Sequence, residues 1–280
     1  MPSRRTLLGL KRTRNCAATI GFLIGVLPST PASSQSDEDL ARSLANPVAA
    51  LISVPFQFNY DAQAGFEHGG HLAYMRFQPV VPVSISEEWN VVSRTILPVV
   101  SQWNTAPNSG NQFGLGDTVQ SFFLSPKAPT SGGLIWGVGP VVVIPTGTHV
   151  LLSNGQWGAG PTGVALTQVG PWTIGVLANH AWSFATVRGS APSFSATFVQ
   201  PFVSFTTKEA WTYSLSSEST YDWFGDAWAV PLNFLISKVV KVDQQPVSFG
   251  IGARYWAATT NTSPQGFGVR AVVTILFPKR

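Results

Sequence analysis

Charged residues are scarce in this sequence, where Asp, Glu, Lys and Arg occupy 11% of the 280 positions. Ordinary soluble domains carry about 25%, so this chain has few charges with which to cover a water-exposed surface. All 13 acidic residues lie beyond residue 34, together with 12 of the 17 basic residues. This near-neutral balance leaves no basic patch of the kind that binds nucleic acid, and we predict no nucleic-acid partner.

Cysteine is almost absent, and long apolar runs are absent beyond the N-terminus. Cys16 is the single cysteine of the sequence, so no disulfide can form within the chain. No segment after residue 34 reaches 18 consecutive apolar residues, which excludes a conventional transmembrane helix in that part. Stability must therefore come from hydrogen bonding and packing.

Residues that could bind a metal are few and poorly placed. The sequence has four histidines, and "EHGGH" (67–71) brings two of them near an acid, as Glu67, His68 and His71. This segment lacks helical register and a fourth ligand, and such loop tips are commonly solvated. We therefore predict no metal site and no cofactor.

The first 34 residues are typical of an export signal. Five basic residues precede a short apolar segment, "CAATIGFLIGVL" (16–27), which is followed by small residues suited to cleavage after Ala32 or Ser34. The apolar segment is shorter than the roughly 20 residues of a membrane-spanning helix, which disfavours a retained N-terminal anchor. We predict a signal peptide at 1–34 and export to the bacterial cell outer membrane.

Residues 35–50 are predicted to form a short periplasmic segment ahead of a transmembrane β-barrel at 51–280. Within this segment, "SDEDLARSLAN" (36–46) favours a helix, because Ser36 can cap its start and acids fill its first turn. Pro47 would end the helix. The segment could lie at the periplasmic mouth, enter the lumen or remain a frayed tail.

Beyond residue 50 the sequence alternates between apolar and polar residues. In "WTYSLSSESTYDW" (211–223), Trp211, Tyr213, Leu215 and Tyr221 share one parity, whereas hydroxyl and acidic residues fill the other. A period of two indicates a strand with one apolar face and one polar face. Twelve strand windows can be recognised: 51–59, 70–83, 89–101, 117–125, 133–145, 156–168, 172–184, 193–206, 210–222, 226–239, 247–257 and 266–278.

The connections between these windows alternate in length. Tight ones such as "TTKEAW" (206–211) alternate with longer, Gly-, Asn- and Ser-rich ones such as "QWNTAPNSGNQFGLG" (102–116). Short turns at one end and long loops at the other are typical of outer-membrane barrels, and a ten-residue strand tilted by about 40° spans about 25 Å. The sequence therefore predicts an all-β fold, an antiparallel up-and-down outer-membrane β-barrel of about 12 strands.

A secreted β-sandwich or a small soluble barrel is the alternative, since its strands would also alternate. Its polar face would meet water and would usually carry many Lys and Glu. The polar faces of this sequence are built mainly from Ser, Thr, Gly and Asn, which favours a membrane barrel with a polar lumen.

Prolines interrupt the predicted strands. Proline cannot donate a hydrogen bond to a sheet ladder, and a closed barrel has no edge strand on which to place it. We therefore expect bulges or kinks at seven positions: Pro79, Pro82, Pro98, Pro140, Pro161, Pro201 and Pro231.

Four segments resemble a known bacterial family: "NPVAALISVPFQFNYD" (46–61), "GLGDTVQSFFLSP" (114–126), "GGLIWGVGP" (132–140) and "STYDW" (219–223). The family comprises outer-membrane proteins grouped as transporters of the meta-pathway of phenol degradation, some of them mislabelled neuromedin U. The resemblance covers 46–280 and implies a signal peptide and an outer-membrane β-barrel. It implies no catalytic residues and no substrate for this chain.

Charged residues on the polar parity are candidates for lining the lumen: Arg76, Arg94, Glu218, Asp222, Arg254 and Arg270. Arg254 and Arg270 are expected to be near neighbours on the last two strands, and such like charges are destabilising unless an anion lies between them. Glu218 is our candidate for that anion, with Asp222 nearer the rim. The arginines could form a constriction that attracts anions, or they could brace the wall.

The predicted function is a channel or transporter for small solutes, with aromatic or anionic compounds as candidates. Its partners would be outer-membrane lipids and small solutes, and the protein would not be an enzyme. A structural or binding barrel without transport is the alternative.

A lipid hydrolase is a further alternative, because "LANHAWSF" (177–184) supplies Asn179, His180 and Ser183. Such an enzyme needs a serine, a histidine and an orienting group within hydrogen-bond reach of one another. Adjacent residues of a strand point to opposite faces, so Asn179 cannot simply orient His180. This disfavours the hydrolase.

Overall fold

The computed structural model describes residues 35–187 and 192–278; the predicted signal peptide and its cleavage site lie outside the described residues. One α-helix, α1 (Asp37–Leu44), precedes the strands, and a 3₁₀ turn occupies Phe66–His68. No helix in these two ranges is long and apolar enough to cross a membrane. The strands are β1 (Ile52–Ala64), β2 (Gly70–Phe77), β3 (Val80–Ser84), β4 (Trp89–Trp103), β5 (Asn111–Leu115), β6 (Thr118–Pro126), β7 (Leu134–Ile144), β8 (Gln156–Val169), β9 (Trp172–Thr186), β10 (Ser195–Thr206), β11 (Trp211–Ser217), β12 (Ser219–Asp222), β13 (Ala227–Val242), β14 (Gln245–Ala258) and β15 (Gly266–Phe277).

These segments form one closed antiparallel ring of twelve barrel strands, which confirms the predicted fold. Three barrel strands are interrupted and consist of two consecutive segments each: β2 with β3, β5 with β6, and β11 with β12. The segments β11 and β12 both pair with β10 and β13, β2 and β3 both pair with β1 and β4, and β5 and β6 both pair with β4. The ring closes where β1 pairs with β15, from Ile52 opposite Phe277 to Asp61 opposite Gly268.

The outer wall carries the apolar parity. Leu215, Phe249 and Ile251 are 52%, 49% and 72% exposed, whereas Ser248 and Thr274 on the opposite parity are buried inside the barrel. Aromatic rings pack against each other near both ends of the wall, in pairs such as Trp172–Phe205 and Tyr221–Trp223. An apolar outer band with aromatic residues at its two ends is the surface that a lipid bilayer requires of a barrel.

Two ends of the barrel can be distinguished by their connections. The short-turn end carries the turns after β3, β6, β8, β10 and β13, which are two to seven residues long, and it receives both ends of the barrel chain. The long-loop end carries connections of four to eleven residues. In outer-membrane barrels the short turns face the periplasm.

The helix α1 lies inside the short-turn end. The Ser36 hydroxyl caps it by accepting the Asp39 backbone N–H at 3.0 Å, as predicted. Leu40 and Ala41 are buried in a cluster that also contains four residues of the barrel and its entry: Leu51, Ala210, Val239 and Leu276. Of the three placements left open by the sequence, the frayed tail is wrong: the helix lies inside the mouth at the short-turn end, and Val48, which follows it, packs in the lumen.

Some prolines lie at the irregularities expected of them. Pro79 falls in the interruption between β2 and β3, and Pro98 lies opposite the interruption between β5 and β6. Pro231 lies at a shift of register between β13 and β14. At these positions the chain bends or changes register, so the missing N–H does not break a regular ladder.

The other four prolines do not lie at shifts of register, so the bulges expected there are absent, whereas kinks at these positions stay a prediction. Pro140 and Pro161 oppose each other in an unshifted register of β7 and β8. On its other side each lies within a gap in the ladder, Pro140 between β6 and β7 and Pro161 between β8 and β9. Pro201 adjoins the interruption between β11 and β12, and Pro82 lies past the end of the β1 ladder. Each strand residue directs its N–H to only one of the two neighbouring strands. A gap in the ladder with that neighbour is therefore sufficient to accommodate a proline.

Replacing Leu215 by arginine is expected to impair assembly, while the same change at Ser216 is expected to be tolerated. Leu215 lies on the outer wall, whereas Ser216 lines a cavity inside the barrel. An arginine at the middle of the lipid face costs about 2–4 kcal/mol and little on the lumen face. The measurement is the yield of folded barrel in isolated outer membranes. Equal yields of Leu215→Arg and Ser216→Arg would contradict this assignment of faces.

Candidate functional site

Glu218 lies at the centre of the site, at the interruption between β11 and β12. Prolines flank this interruption on both neighbouring strands: the Glu218 N–H donates to the Pro231 carbonyl at 3.3 Å, and Pro201 stands opposite the preceding residue of β11. Because proline has no N–H, the ladder is loosened here. The Glu218 side chain lies in the interior, with 11% of its surface exposed.

Three arginines surround the Glu218 carboxylate. Arg270 makes a bidentate pair, with Nη1 2.8 Å from Oε1 and Nη2 3.1 Å from Oε2. Arg76 donates from Nη1 to Oε2 at 2.9 Å, and Nη2 of Arg254 lies 3.9 Å from the same oxygen. The single negative charge of Glu218 thus partly compensates the positive charges of three arginines.

Arg254 is the most enclosed arginine of the site, with 2% of it exposed. Its Nη1 donates to Asp61 Oδ2 at 3.1 Å and to the Tyr74 hydroxyl. Its Nη2 donates to Asn59 Oδ1 at 2.8 Å, and its Nε donates to Asn233 Oδ1 at 3.0 Å. All three guanidinium nitrogens therefore have acceptors, as a buried charge requires.

None of the four residues that accept hydrogen bonds from Arg254 is among those predicted from the sequence to line the lumen. The first predicted strand ends at 59 and leaves Asp61 in a loop, whereas β1 continues to Ala64. Asn59 and Asp61 alternate along β1 with the exposed Phe58 and Tyr60. This alternation is the signal in the sequence that could have placed both residues in the lumen.

Arg254 and Arg270 are diagonal neighbours, so they do not face each other directly. The β14–β15 ladder pairs Arg254 with Gly268 and Arg270 with Gly252. A Cβ on Gly268 would lie 2.2 Å from Oδ1 of Asp61. Glycine at position 268 therefore leaves the space that the carboxylate partner of Arg254 occupies.

The contact between Arg76 and Glu218 crosses the barrel interior. Arg76 belongs to β2, and the interruption at Glu218 is five barrel strands away in the ring of twelve. Their 2.9 Å contact therefore joins nearly opposite walls. The arginines and their acceptors therefore occupy part of the lumen at this level.

The other side of the interior is apolar and partly filled by the N-terminal segment. Its buried side chains come from Val48, which follows α1, and from the strands β4, β6, β8 and β9: Val92, Phe123, Val164, Leu166 and Leu177. A cavity of about 250 Å³ remains between the end of α1 and the wall that bears Glu218 and Arg270. The interior thus has a charged side and an apolar side.

Arg94 and Asp222 lie apart from the Glu218 cluster. Arg94 points inward from β4 and donates from Nη2 to the Gln78 amide oxygen at 3.3 Å. Asp222 ends β12 at the long-loop rim, where its Oδ1 accepts the Phe224 backbone N–H at 3.0 Å. The structure therefore brings Arg76, Glu218, Arg254 and Arg270 together, but not the other two candidates.

The residues considered for a lipid hydrolase are not brought together. His180 faces outward between the rings of Trp182 and Trp223, and its Nδ1 lies 2.8 Å from the Thr197 hydroxyl. Ser183 lies on the opposite parity of β9, and its hydroxyl accepts a backbone N–H at 3.0 Å. These contacts give Ser183 no histidine that could act as its base.

The histidine-rich segment at 67–71 is partly strand. His71, which was expected where a loop meets the strand window 70–83, belongs to β2, and its Nδ1 lies 3.1 Å from the Tyr60 hydroxyl. The loop before it is short: it ends at Gly69, and the ladder between β1 and β2 starts with Ala64 opposite Gly70. Among the residues that the structure describes, no three His, Cys, Asp or Glu side chains are grouped so that they could hold a metal ion.

Comparisons with known proteins bear on the fold. No family model matches the chain, and no curated protein sequence matches it. Among solved structures, an outer-membrane channel from Pseudomonas putida is similar with a TM-score of 0.63 at 12% identity, over 81% of this chain and 94% of that one. This chain has the fold of a bacterial outer-membrane β-barrel.

Two porin structures are less similar to this barrel. The NanC porin gives a TM-score of 0.49 at 8% identity, and the KdgM porin gives 0.43 at 12% identity. Each match covers 81% of this chain, with 100% of the NanC chain and 99% of the KdgM chain. Membership of the phenol-degradation family stays a prediction, since no family model matches.

Proposed function

We propose that this barrel resides in the bacterial outer membrane and conducts small solutes, with a preference for small anions. The observation that carries the proposal is the charge balance of the inward-facing side chains in the middle of the barrel wall. Four arginines, Arg76, Arg94, Arg254 and Arg270, accompany two carboxylates, Asp61 and Glu218. Excess positive charge in a narrow, poorly screened lumen attracts anions.

The four arginines divide between two roles. Arg254 and Arg270 are 2% and 6% exposed and direct their donors to carboxylates and amides of the wall, so we assign them to bracing. Arg76 keeps 31% of its side chain exposed. Arg94 has an amide as its acceptor and lines a cavity. We assign the selectivity to Arg76 and Arg94.

A barrel that does not transport solutes is the second candidate, and a specific observation favours it. The helix α1 fills part of the short-turn end, and the contact between Arg76 and Glu218 crosses the interior. Side chains can fill the lumen of a small barrel completely. A scaffold of this kind would remain silent in a bilayer even without α1.

The reversal potential of single channels under a salt gradient tests the proposed selectivity. We expect anion preference in the wild type and its loss in the double variant Arg76→Gln with Arg94→Gln, because the accessible positive charge of the lumen is removed. Lys238→Gln is the matched control. Lys238 lies over the Trp211 ring at 4.9 Å on the outer wall, so its charge should not affect permeating ions.

Three results would count against the proposed channel. A cation-selective wild type would refute the anion preference, and so would a selectivity that the double variant leaves unchanged. Silence of the full chain and of a chain without residues 36–46 would favour the scaffold.

A further inference from the structure

Arg94 is a cation of the barrel interior that makes no salt bridge with any of the described residues. Its guanidinium has five N–H donors, yet within the described ranges its side-chain hydrogen bond is the 3.3 Å contact to Gln78 Oε1. No carboxylate oxygen of the described residues lies within 4.0 Å of it, in contrast to Arg76, Arg254 and Arg270. An unpaired cation of this kind in a narrow interior is a site for an anion.

The space in front of Arg94 is a cavity of about 150 Å³. It lies between the inner wall of the barrel and the segment that follows α1. Two glutamines, Gln78 and Gln200, supply amide groups from the wall. Ser43, Asn46 and Ser53 add further polar groups, and the apolar part of the surface comes from Leu44, Pro47, Ala49, Leu51, Pro55 and Val80.

The volume and lining of this cavity limit the ligand that it fits. A cavity of about 150 Å³ has room for a molecule of the size of benzene. A guanidinium binds a carboxylate through two parallel N–H···O bonds, and apolar walls favour an apolar body over a hydrated one. The lining therefore matches a compact molecule with one carboxylate and one apolar group.

We infer that the Arg94 cavity binds small monocarboxylates with an apolar body, of about the size of benzoate. This inference deepens the proposed function and rests on it, because the site would lie on the path of the anions that the channel conducts. Ligands of this class reach Arg94 from the lumen, and their apolar part contacts the N-terminal segment at Leu44 and Ala49. Inorganic phosphate lacks the apolar part, and benzyl alcohol lacks the charge.

Calorimetric titration of the full chain in detergent micelles tests the site with three probes: benzoate, benzyl alcohol and inorganic phosphate. We expect saturable binding of benzoate and weaker binding of the other two. Arg94→Gln should weaken benzoate binding by about tenfold to a hundredfold, since a hydrogen-bonded charge contributes about 1.5–3 kcal/mol. Ala49→Phe should abolish binding by filling the cavity while it leaves the charge in place. Lys238→Gln on the outer wall should bind as the wild type does.

The site is refuted if benzoate does not bind, if it binds equally to Arg94→Gln, or if phosphate binds as tightly as benzoate. Because Ala49→Phe keeps all charges, it checks the site even where Arg94→Gln folds poorly. Channel recordings separate this inference from the proposed function. A conducting barrel without benzoate binding would refute the site alone, whereas a silent barrel that binds benzoate would refute the channel alone.

Discussion

Replacing Glu218 by glutamine is expected to lower the free energy of unfolding of the barrel by about 3–5 kcal/mol, which is the usual cost of removing one partner from a buried ion pair. The carboxylate accepts three hydrogen bonds, two from Arg270 and one from Arg76. An amide has a single oxygen, and its NH₂ group would face guanidinium donors. The change therefore leaves buried cations uncompensated on two sides of the lumen.

Urea-induced unfolding of the barrel in lipid vesicles measures this effect. Glu209→Gln is the matched control, because Glu209 is an exposed carboxylate in the turn between β10 and β11, and its change should alter stability little. The double variant Glu218→Gln with Arg270→Gln should cost less than the sum of the two single changes, since the uncompensated charge at position 270 is removed together with its partner. Additive effects, or a Glu218→Gln barrel as stable as the control, would show that the pair does not brace the wall.

The sequence predicts the fold well because the membrane imposes a simple pattern. Lipid requires large apolar side chains on one parity, and each barrel strand must cross the same thickness. The alternation in "WTYSLSSESTYDW" (211–223) survives the interruption at Glu218, since the partners of β11 and β12 keep one register along β10. Parity alone therefore places Glu218 in the interior without any knowledge of the break.

The candidate site could be predicted only in part, because its contacts join strands that are distant in the sequence. Arg76 and Glu218 are 142 residues apart, and Arg254 and Asp61 are 193 apart. The parity of Arg254 and Arg270 indicates the face that they share, but the curvature of the ring decides which opposite strand they meet. The roles of the prolines depend on ladder gaps that local sequence does not specify, as Pro140 and Pro161 show.

The location of α1 was also undetermined by the sequence. The start and the end of the helix are local features, which Ser36 and Pro47 predict. Its burial depends on a surface made by four separate parts of the chain: Leu51, Ala210, Val239 and Leu276. Polar contacts supplement this packing, with Gln168 Nε2 donating to the Arg42 carbonyl at 3.0 Å and Lys241 Nζ lying 3.5 Å from Asp37 Oδ1. These contacts hold the helix across the short-turn end.

Removing residues 36–46 is therefore expected to raise single-channel conductance several-fold. A helix with its side chains is about 10–12 Å wide, so its departure should open the short-turn end of a small barrel. The point variant Leu40→Asn should have the same direction of effect, because it places an amide in the apolar cluster and loosens the helix. Leu151→Asn is the matched control, since Leu151 is exposed in the loop between β7 and β8. The contrary result would be folded barrels of equal conductance for the full chain, the shortened chain and Leu40→Asn. It would mean that α1 does not restrict the channel and that the narrowest point lies at the Arg76–Glu218 contact.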